Sequence, residues 1–344
     1  MPALPASLLT ALPLGLTVVL YLLLALALAF ITFEIQLGWS LFRYATRRAR
    51  EEDFTPPANI PPETLEWYRK AAAAKERLLL RPHQEWEMIH DGLCLRGIFF
   101  PARQSEGEPA HGRGCAVIVH GWRDIRLSRA LDVQLYLDQG YCVFLPSLRG
   151  HEPSGGKRID IGCKHAGDIL AWLEEIRGRL GGQGPAYFVL DGLSMGAANV
   201  LTLSGDPGLA PDVAAVIADC GYSSLLAQGR WMIRGMKPLI RRPALFFATV
   251  FFYLLMGYSK KDLTPLTGAA RAKVPVMIIH GTDDLFVPAF MAQELYDGCS
   301  SPLKELWYVE GAKHALSHAV AGEDYKARKM AFIERALEGY QSGS

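Results

Sequence analysis

Charge is missing from the start of this sequence. No Asp, Glu, Lys or Arg precedes Glu34. An ordinary secretory signal, with its positive n-region and apolar stretch of roughly 7–15 residues, is therefore not expected. The whole chain lacks a charge bias as well: Lys+Arg 36 against Asp+Glu 35 leaves +1. That balance gives no basic field for nucleic acid. Asparagine is scarce, and neither Asn59 nor Asn199 begins a glycosylation sequon. The six cysteines (Cys94, Cys115, Cys142, Cys163, Cys220 and Cys299) form no CxxC pair. They read as buried reduced thiols, not a disulfide framework or a zinc site. With 50% hydrophobic and 21% charged residues among 344, the chain is not disordered and is long enough for one large α/β domain with an appendage.

What is present first is an apolar run. Leu14–Phe33 is made almost entirely of Leu, Ala, Val and aromatic residues. At about 1.5 Å per residue it matches a hydrocarbon core of roughly 30 Å. Residues 1–34 are expected to be a transmembrane anchor, with residues 8–33 meeting the bilayer. Arg43, Arg47, Arg48 and Arg50 follow the run. Positive flanks favour the cytoplasmic side, so the rest of the chain is expected there, with these arginines near anionic headgroups. Residues 35–84 then read as a basic juxtamembrane segment, a proline-rich linker at Phe54–Pro62 and a helix at Pro62–Leu80.

From Glu85 onward short apolar runs alternate with helix-length segments. Trp86–His90 and Leu93–Phe100, joined at Asp91-Gly92, predict a hairpin. Cys115–His120, Tyr141–Pro146, Ala186–Leu190, Ala214–Ala218, Pro275–His280 and Glu305–Val309 predict strands of a parallel sheet covered on both faces. The alternation predicts an α/β fold with a mostly parallel, doubly wound sheet, built from residues 85–222 and 264–340. Residues 223–263 break the rhythm and read as an inserted helical cap.

The strongest chemical signal is Gly192-Leu193-Ser194-Met195-Gly196, between a predicted strand and a helix. In that setting a serine sits on a sharp turn, and the helix N-terminus offers N–H groups to a developing oxyanion. A serine hydroxyl needs a base held by a carboxylate. Two later stretches end strands and supply both: His280–Pro288, with Asp283 and Asp284, and Gly311–His314, with His318 close behind. The i, i+4 spacing of His314 and His318 lacks a following Glu and a third ligand, so it does not read as zinc. The N–H of Met195, next after the serine, is one oxyanion donor.

These residues together resemble the α/β-hydrolase superfamily over roughly Glu85 to Glu338. His280–Pro288 is similar to the family pattern HGxxDxxVP, and the resemblance assigns Asp284 as the acid. It assigns His314 as the base, the Trp122 N–H in His120-Gly121-Trp122 as the second oxyanion donor, and His120 as a structural histidine. Leu148–Gly156 is similar to the family's RGHGxSxG loop, with Ser147 before it where Asp is usual and Glu152 after His151. Asp219–Ser224 resembles the segment leading into the cap. The anchor and short cap most resemble Bem46-like membrane-associated hydrolases and related bacterial enzymes. The resemblance implies a membrane-anchored serine hydrolase with a Ser194–His314–Asp284 triad, acting on carboxylic esters, lipid or acyl esters among them. No metal or organic cofactor is required. A thioesterase or serine peptidase with the same triad, and a catalytically silent scaffold, are the alternatives. In the apolar cap, Phe247 and Phe251 are the candidate contacts for a hydrophobic ester.

Overall fold

Each predicted strand finds a place in one eight-stranded sheet in the computed structural model, which describes residues 14–50, 62–102, 112–161, 163–181, 184–258 and 264–343. The strands are β1 (Gln84–His90), β2 (Leu93–Phe100), β3 (Cys115–Val119), β4 (Cys142–Ser147), β5 (Phe188–Leu193), β6 (Val213–Asp219), β7 (Val276–Gly281) and β8 (Lys304–Val309). Their order is β1-β2-β4-β3-β5-β6-β7-β8. β1 and β2 form the hairpin, with His90 opposite Leu93. Asp91 and Gly92 turn it with φ of 48° and 69°, the left-handed pair that a two-residue hairpin turn demands. β2 runs antiparallel to β4, and the remaining pairs are parallel.

Alternation along the strands builds two cores. Cys115, Val117 and Val119 of β3 face one layer, while Ala116 and Ile118 face the other. The first layer is closed by α4 (Cys163–Leu180), α5 (Met195–Ser204) and α9 (Phe290–Gly298), through side chains such as Trp172 and Leu201. The second is closed by α3 (Ala130–Asp138) and α11 (Glu323–Gly343), through Tyr136 and Phe332. Each large apolar side chain buried this way contributes roughly 1.5–3 kcal/mol. The cysteines with described side chains are free: Cys115, Cys142, Cys220 and Cys299 are buried, and Cys94 is only partly so.

The N-terminal helix departs from the expected simple anchor. α1 spans Leu14–Thr46, 33 residues, running on well past residue 34. Leu14 to Phe33 is exposed along its length, and the helix is long and apolar enough to cross a membrane. Below that run, Glu34, Gly38, Phe42 and Thr46 form a buried stripe at a spacing of four. The end of α1 is stitched to the sheet domain: the Ile159 N–H donates to the Thr46 carbonyl at 2.8 Å, Ala49 N–H to the Gly150 carbonyl at 2.9 Å, and Glu152 N–H to the Ala49 carbonyl at 3.0 Å. Residues 8–13 of the expected bilayer segment, and the linker 54–61, lie outside the described residues. α2 (Pro62–Leu79) packs on the body by Ala74 and Leu78.

The inserted segment forms α6 (Leu225–Met232) and α7 (Pro238–Met256); its residues 259–263 lie outside the described set. α7 is also long and apolar enough to cross a membrane, yet it lies along α1. At the crossing, a Cβ on Gly38 would stand 2.6 Å from the Phe247 Cβ, so only glycine admits this approach. The short α8 (Pro265–Ala269) returns the chain to the sheet, and α10 (Ser317–Ala321) leads into α11.

Candidate active site

Ser194 occupies the turn between β5 and α5 with φ 54° and ψ −111°. A non-glycine residue held there is strained, and such strain gathers at functional sites. The turn is possible because its flanks are bare. A Cβ on Gly192 would strike the Gly196 carbonyl, and one on Gly196 would strike the Val119 carbonyl. The Ser194 N–H is fixed to the Asp219 carbonyl at 2.8 Å.

His314 and Asp284 reach the same rim from loops after β8 and β7. Ser194 Oγ lies 2.9 Å from His314 Nε2, and His314 Nδ1 lies 2.7 Å from Asp284 Oδ2. An ionised carboxylate only accepts, so Nδ1 carries the proton and Nε2 is left to accept from the serine. Asp284 is itself held: its Oδ1 accepts the Phe286 and Val287 N–H groups at 2.9 and 2.8 Å. His280 Nε2 donates to the Val287 carbonyl at 2.9 Å and sits 3.4 Å from Asp284 Oδ2. Burial works against the Asp284 carboxylate, but hydrogen bonds from His280 and His314 outweigh it and bring its pKa down to about 2.

That depression has a sign in pH. A carboxyl ionising below its ordinary 3.8 stabilises the fold fully above about pH 4 and loses that contribution as pH falls through about 2. The size is about 2 kcal/mol. Asp284→Asn is therefore expected to flatten the loss of stability between pH 5 and 2, read as urea midpoints across that range. An unchanged slope would show that the carboxylate is not held as described.

The neighbouring candidates go elsewhere. Asp283 is exposed. His318 stacks on Tyr325, ring centroids 4.6 Å apart, and approaches Asp132 instead of Ser194. His120 is buried, donates from Nδ1 to the Gly121 carbonyl at 2.9 Å and accepts the Leu148 N–H at Nε2 at 3.1 Å. Burial lowers its pKa, which suits a neutral structural ring. Trp122 lies in the turn after β3, and Met195 opens α5, where helix N–H groups lack an intrahelical acceptor. Both line a cavity with Ser194. One trio could be weighed as a metal site: donor atoms of Cys220, Asp284 and His314 lie within 4.8 Å of one another. Asp284 Oδ2 and His314 Nδ1 are already engaged together, and burial drives the Cys220 thiol pKa well up, away from the thiolate a metal needs.

Two cavities meet at the serine. The smaller, about 220 Å³, is almost wholly apolar and runs under the cap, lined by Leu225, Leu245, Ala248 and Phe252 and by Leu41, Tyr44 and Ala45 of α1. The larger, about 590 Å³, runs beneath α2, lined by Trp67, Tyr68 and Lys75 and reaching His314. The expected cap contacts are corrected here. Phe251 turns to Trp39 and Phe42 of α1, at 5.1 and 6.1 Å, Phe247 meets Gly38, and neither lines the cavities at Ser194.

The sequence model of the alpha/beta hydrolase family matches residues 116–327, more than half of the chain. The chain belongs to this family. This hydrolase is 27% identical over 218 residues to the uncharacterized protein YqkD of Bacillus subtilis, covering 63% of its own length and 70% of that protein. It is 24% identical over 249 residues to the uncharacterized protein YfhR of Escherichia coli K12, covering 72% and 78%. Among solved structures it resembles the esterase Pf2001 of Pyrococcus furiosus, with a TM-score of 0.59 at 23% identity, over 75% of this chain and 94% of that one. It also resembles an acylaminoacyl peptidase of Pyrococcus horikoshii, with a TM-score of 0.52 at 19% identity, over 74% and 41%. These likenesses establish the fold of the hydrolase.

Sequence reasoning missed a buried ion cluster beneath the nucleophile turn. Lys329 of α11 is fully buried, with Nζ 2.7 Å from Asp132 and 2.6 Å from Asp191. Arg129 meets the same two carboxylates at 2.8 and 3.2 Å. Burial opposes the charge on Asp132, but Arg129 and Lys329 hold its pKa well down. A signal existed: Tyr325, Lys329, Phe332, Ile333 and Ala336 repeat at helical spacing, so Lys329 occupies a core-facing slot.

Proposed function

We propose that this protein is a membrane-anchored serine hydrolase that cleaves carboxylic esters with hydrophobic acyl groups. The hydrogen-bonded chain Ser194–His314–Asp284, opening into an apolar cavity, carries the reading. Ser194 Oγ attacks the acyl carbonyl while His314 Nε2 takes its proton, and Asp284 steadies the imidazolium. The N–H groups of Trp122 and Met195 receive the oxyanion. His314 then protonates the leaving alcohol, and water, deprotonated by the same ring, frees the acyl group. The exposed Leu14–Phe33 stretch of α1 supports anchoring, with the hydrolytic body in the cytoplasm by the arginine flank. The likeness to Bem46-like membrane-associated hydrolases belongs to the same proposal.

The test is ester hydrolysis with fluorophosphonate labelling, on the full chain in detergent, because Phe42, Thr46 and Ala49 are part of the core. A cavity of about 220 Å³ is below the ~300 Å³ usual for small-molecule sites. Activity on p-nitrophenyl esters is expected to be highest for short acyl chains and to fall at least ~10-fold by palmitate. Folded protein that neither labels at Ser194 nor cleaves any ester would refute the reading.

A further inference from the structure

Beside the apolar cavity lies a groove of about 780 Å³ lined by cations. Arg43 in the last turn of α1 and Arg47 and Arg48 just beyond it form one wall. Arg123, after the oxyanion-loop Trp122, and Lys157 and Arg158, from the loop after β4, form the other. Among the described residues its lining holds no carboxylate.

Three of the cations are held by the surrounding structure. Arg48 Nη2 donates to the Ser154 carbonyl at 2.9 Å. Arg123 Nη2 donates to the Tyr44 carbonyl at 2.8 Å, and its guanidinium lies over the Tyr44 and Trp122 rings at 4.7 and 4.5 Å. Arg158 lies 5.9 and 5.2 Å over Trp39 and Phe42. Like charges gathered within about one Debye length repel. An anion relieves that repulsion, and a phosphate presents oxygens that match arginine forks.

Groove and cavity share a border. Tyr44 lines both, while the adjacent Trp122 and Arg123 face the cavity and the groove respectively. An ester seated at Ser194 with its acyl chain under the cap can thus carry an anionic group across Tyr44 into the arginines. We infer that the groove is a headgroup subsite and that the favoured substrates are short-chain acyl esters bearing a phosphate, of the lysophospholipid type. This deepens the proposed function and rests on Ser194 as nucleophile. The acyl carbon–oxygen bond breaks, the acyl group passes to Ser194 and then to water, and the glycerophosphate-type alcohol leaves with the proton from His314. The phosphate itself is untouched.

The full chain in uncharged detergent is given lysophosphatidate or monoacylglycerol with the same short acyl chain, octanoyl. The expected result is a kcat/KM at least ~10-fold higher for lysophosphatidate. The triple variant Arg43→Gln, Arg47→Gln, Lys157→Gln alters exposed side chains. It is expected to cut that value at least ~10-fold, mainly through KM, while monoacylglycerol turnover falls far less. Inorganic phosphate is expected to compete only at concentrations far above the lysophosphatidate KM. Inhibition of both esters at micromolar phosphate would assign the groove to the free ion and overturn the inference. Equal rates for the two esters, or equal losses in the variant, overturn it too. So does weaker binding of the variant to phosphatidylglycerol vesicles with unchanged ester preference, which would leave only a docking surface. If Ser194 labels with fluorophosphonate but neither lipid is cleaved, the inference fails and the serine-hydrolase reading stands. If Ser194 does not label, both fall.

Discussion

Ser194→Ala is expected to lower kcat on a short-chain ester by at least ~10⁴-fold and to abolish fluorophosphonate labelling, with little change in melting temperature. The substitution removes one oxygen and leaves the turn, its glycines and the Ser194 N–H bond to Asp219 in place. Nucleophile and base act as a unit, so loss of either member removes most of the acceleration. Asp284→Asn is the more searching companion, and geometry sets its outcome. The Phe286 and Val287 N–H groups require an oxygen at the Oδ1 position. The asparagine amide nitrogen must then face His314 Nδ1, where only an acceptor can satisfy it. The ring proton moves to Nε2, and the imidazole can no longer take the proton of Ser194. A fall of ~10⁴-fold with unchanged KM is expected. Either variant retaining activity within a few-fold of wild type in ester assays would refute the triad.

Lys329→Met is expected to cost about 3–5 kcal/mol of stability, because the buried Asp132 and Asp191 carboxyls lose their shared cationic partner. For a body of this size that is roughly a 10 °C drop in Tm. Arg129 cannot replace the ammonium, since it already holds both carboxylates. The double variant Asp132→Asn, Lys329→Met is expected to recover part of the loss. Additive losses instead of partial recovery, measured by thermal unfolding in detergent, would refute the coupling. Activity is expected to suffer beyond stability. Asp191 lies on β5 just before the nucleophile turn, and Asp219, whose carbonyl holds the Ser194 N–H, is bound by Ser317 and Tyr325 at 3.0 and 2.9 Å.

The parallel sheet was legible because its strands are continuous apolar runs, and the elbow because steric necessity places glycines on both sides of Ser194. Asp284 needed a family resemblance, since Asp283 is its equal by spacing; the pair of backbone N–H donors that distinguishes them exists only once the loop is folded. His280 as a second partner of Asp284 was readable in principle from the i, i+4 spacing. The continuation of α1 to Thr46 was hidden by its polar residues, which look like a tether until their four-residue stripe meets α7. The same contact explains Phe247 and Phe251: aromatic composition marks a packing helix, but which face meets α1 and which meets the cavity depends on where the two helices cross.

The stitching of α1 to the loops around Gly150 and Ile159 makes helix and hydrolytic body one lever. In a bilayer, mismatch between an apolar helix and the hydrocarbon thickness is relieved by tilt. Under the proposed anchoring, these bonds would pass a tilt of α1 on to the body, moving the mouth of the cavity relative to the lipid surface. Under that anchoring, membrane thickness would bear on turnover through lipid composition rather than through any ligand.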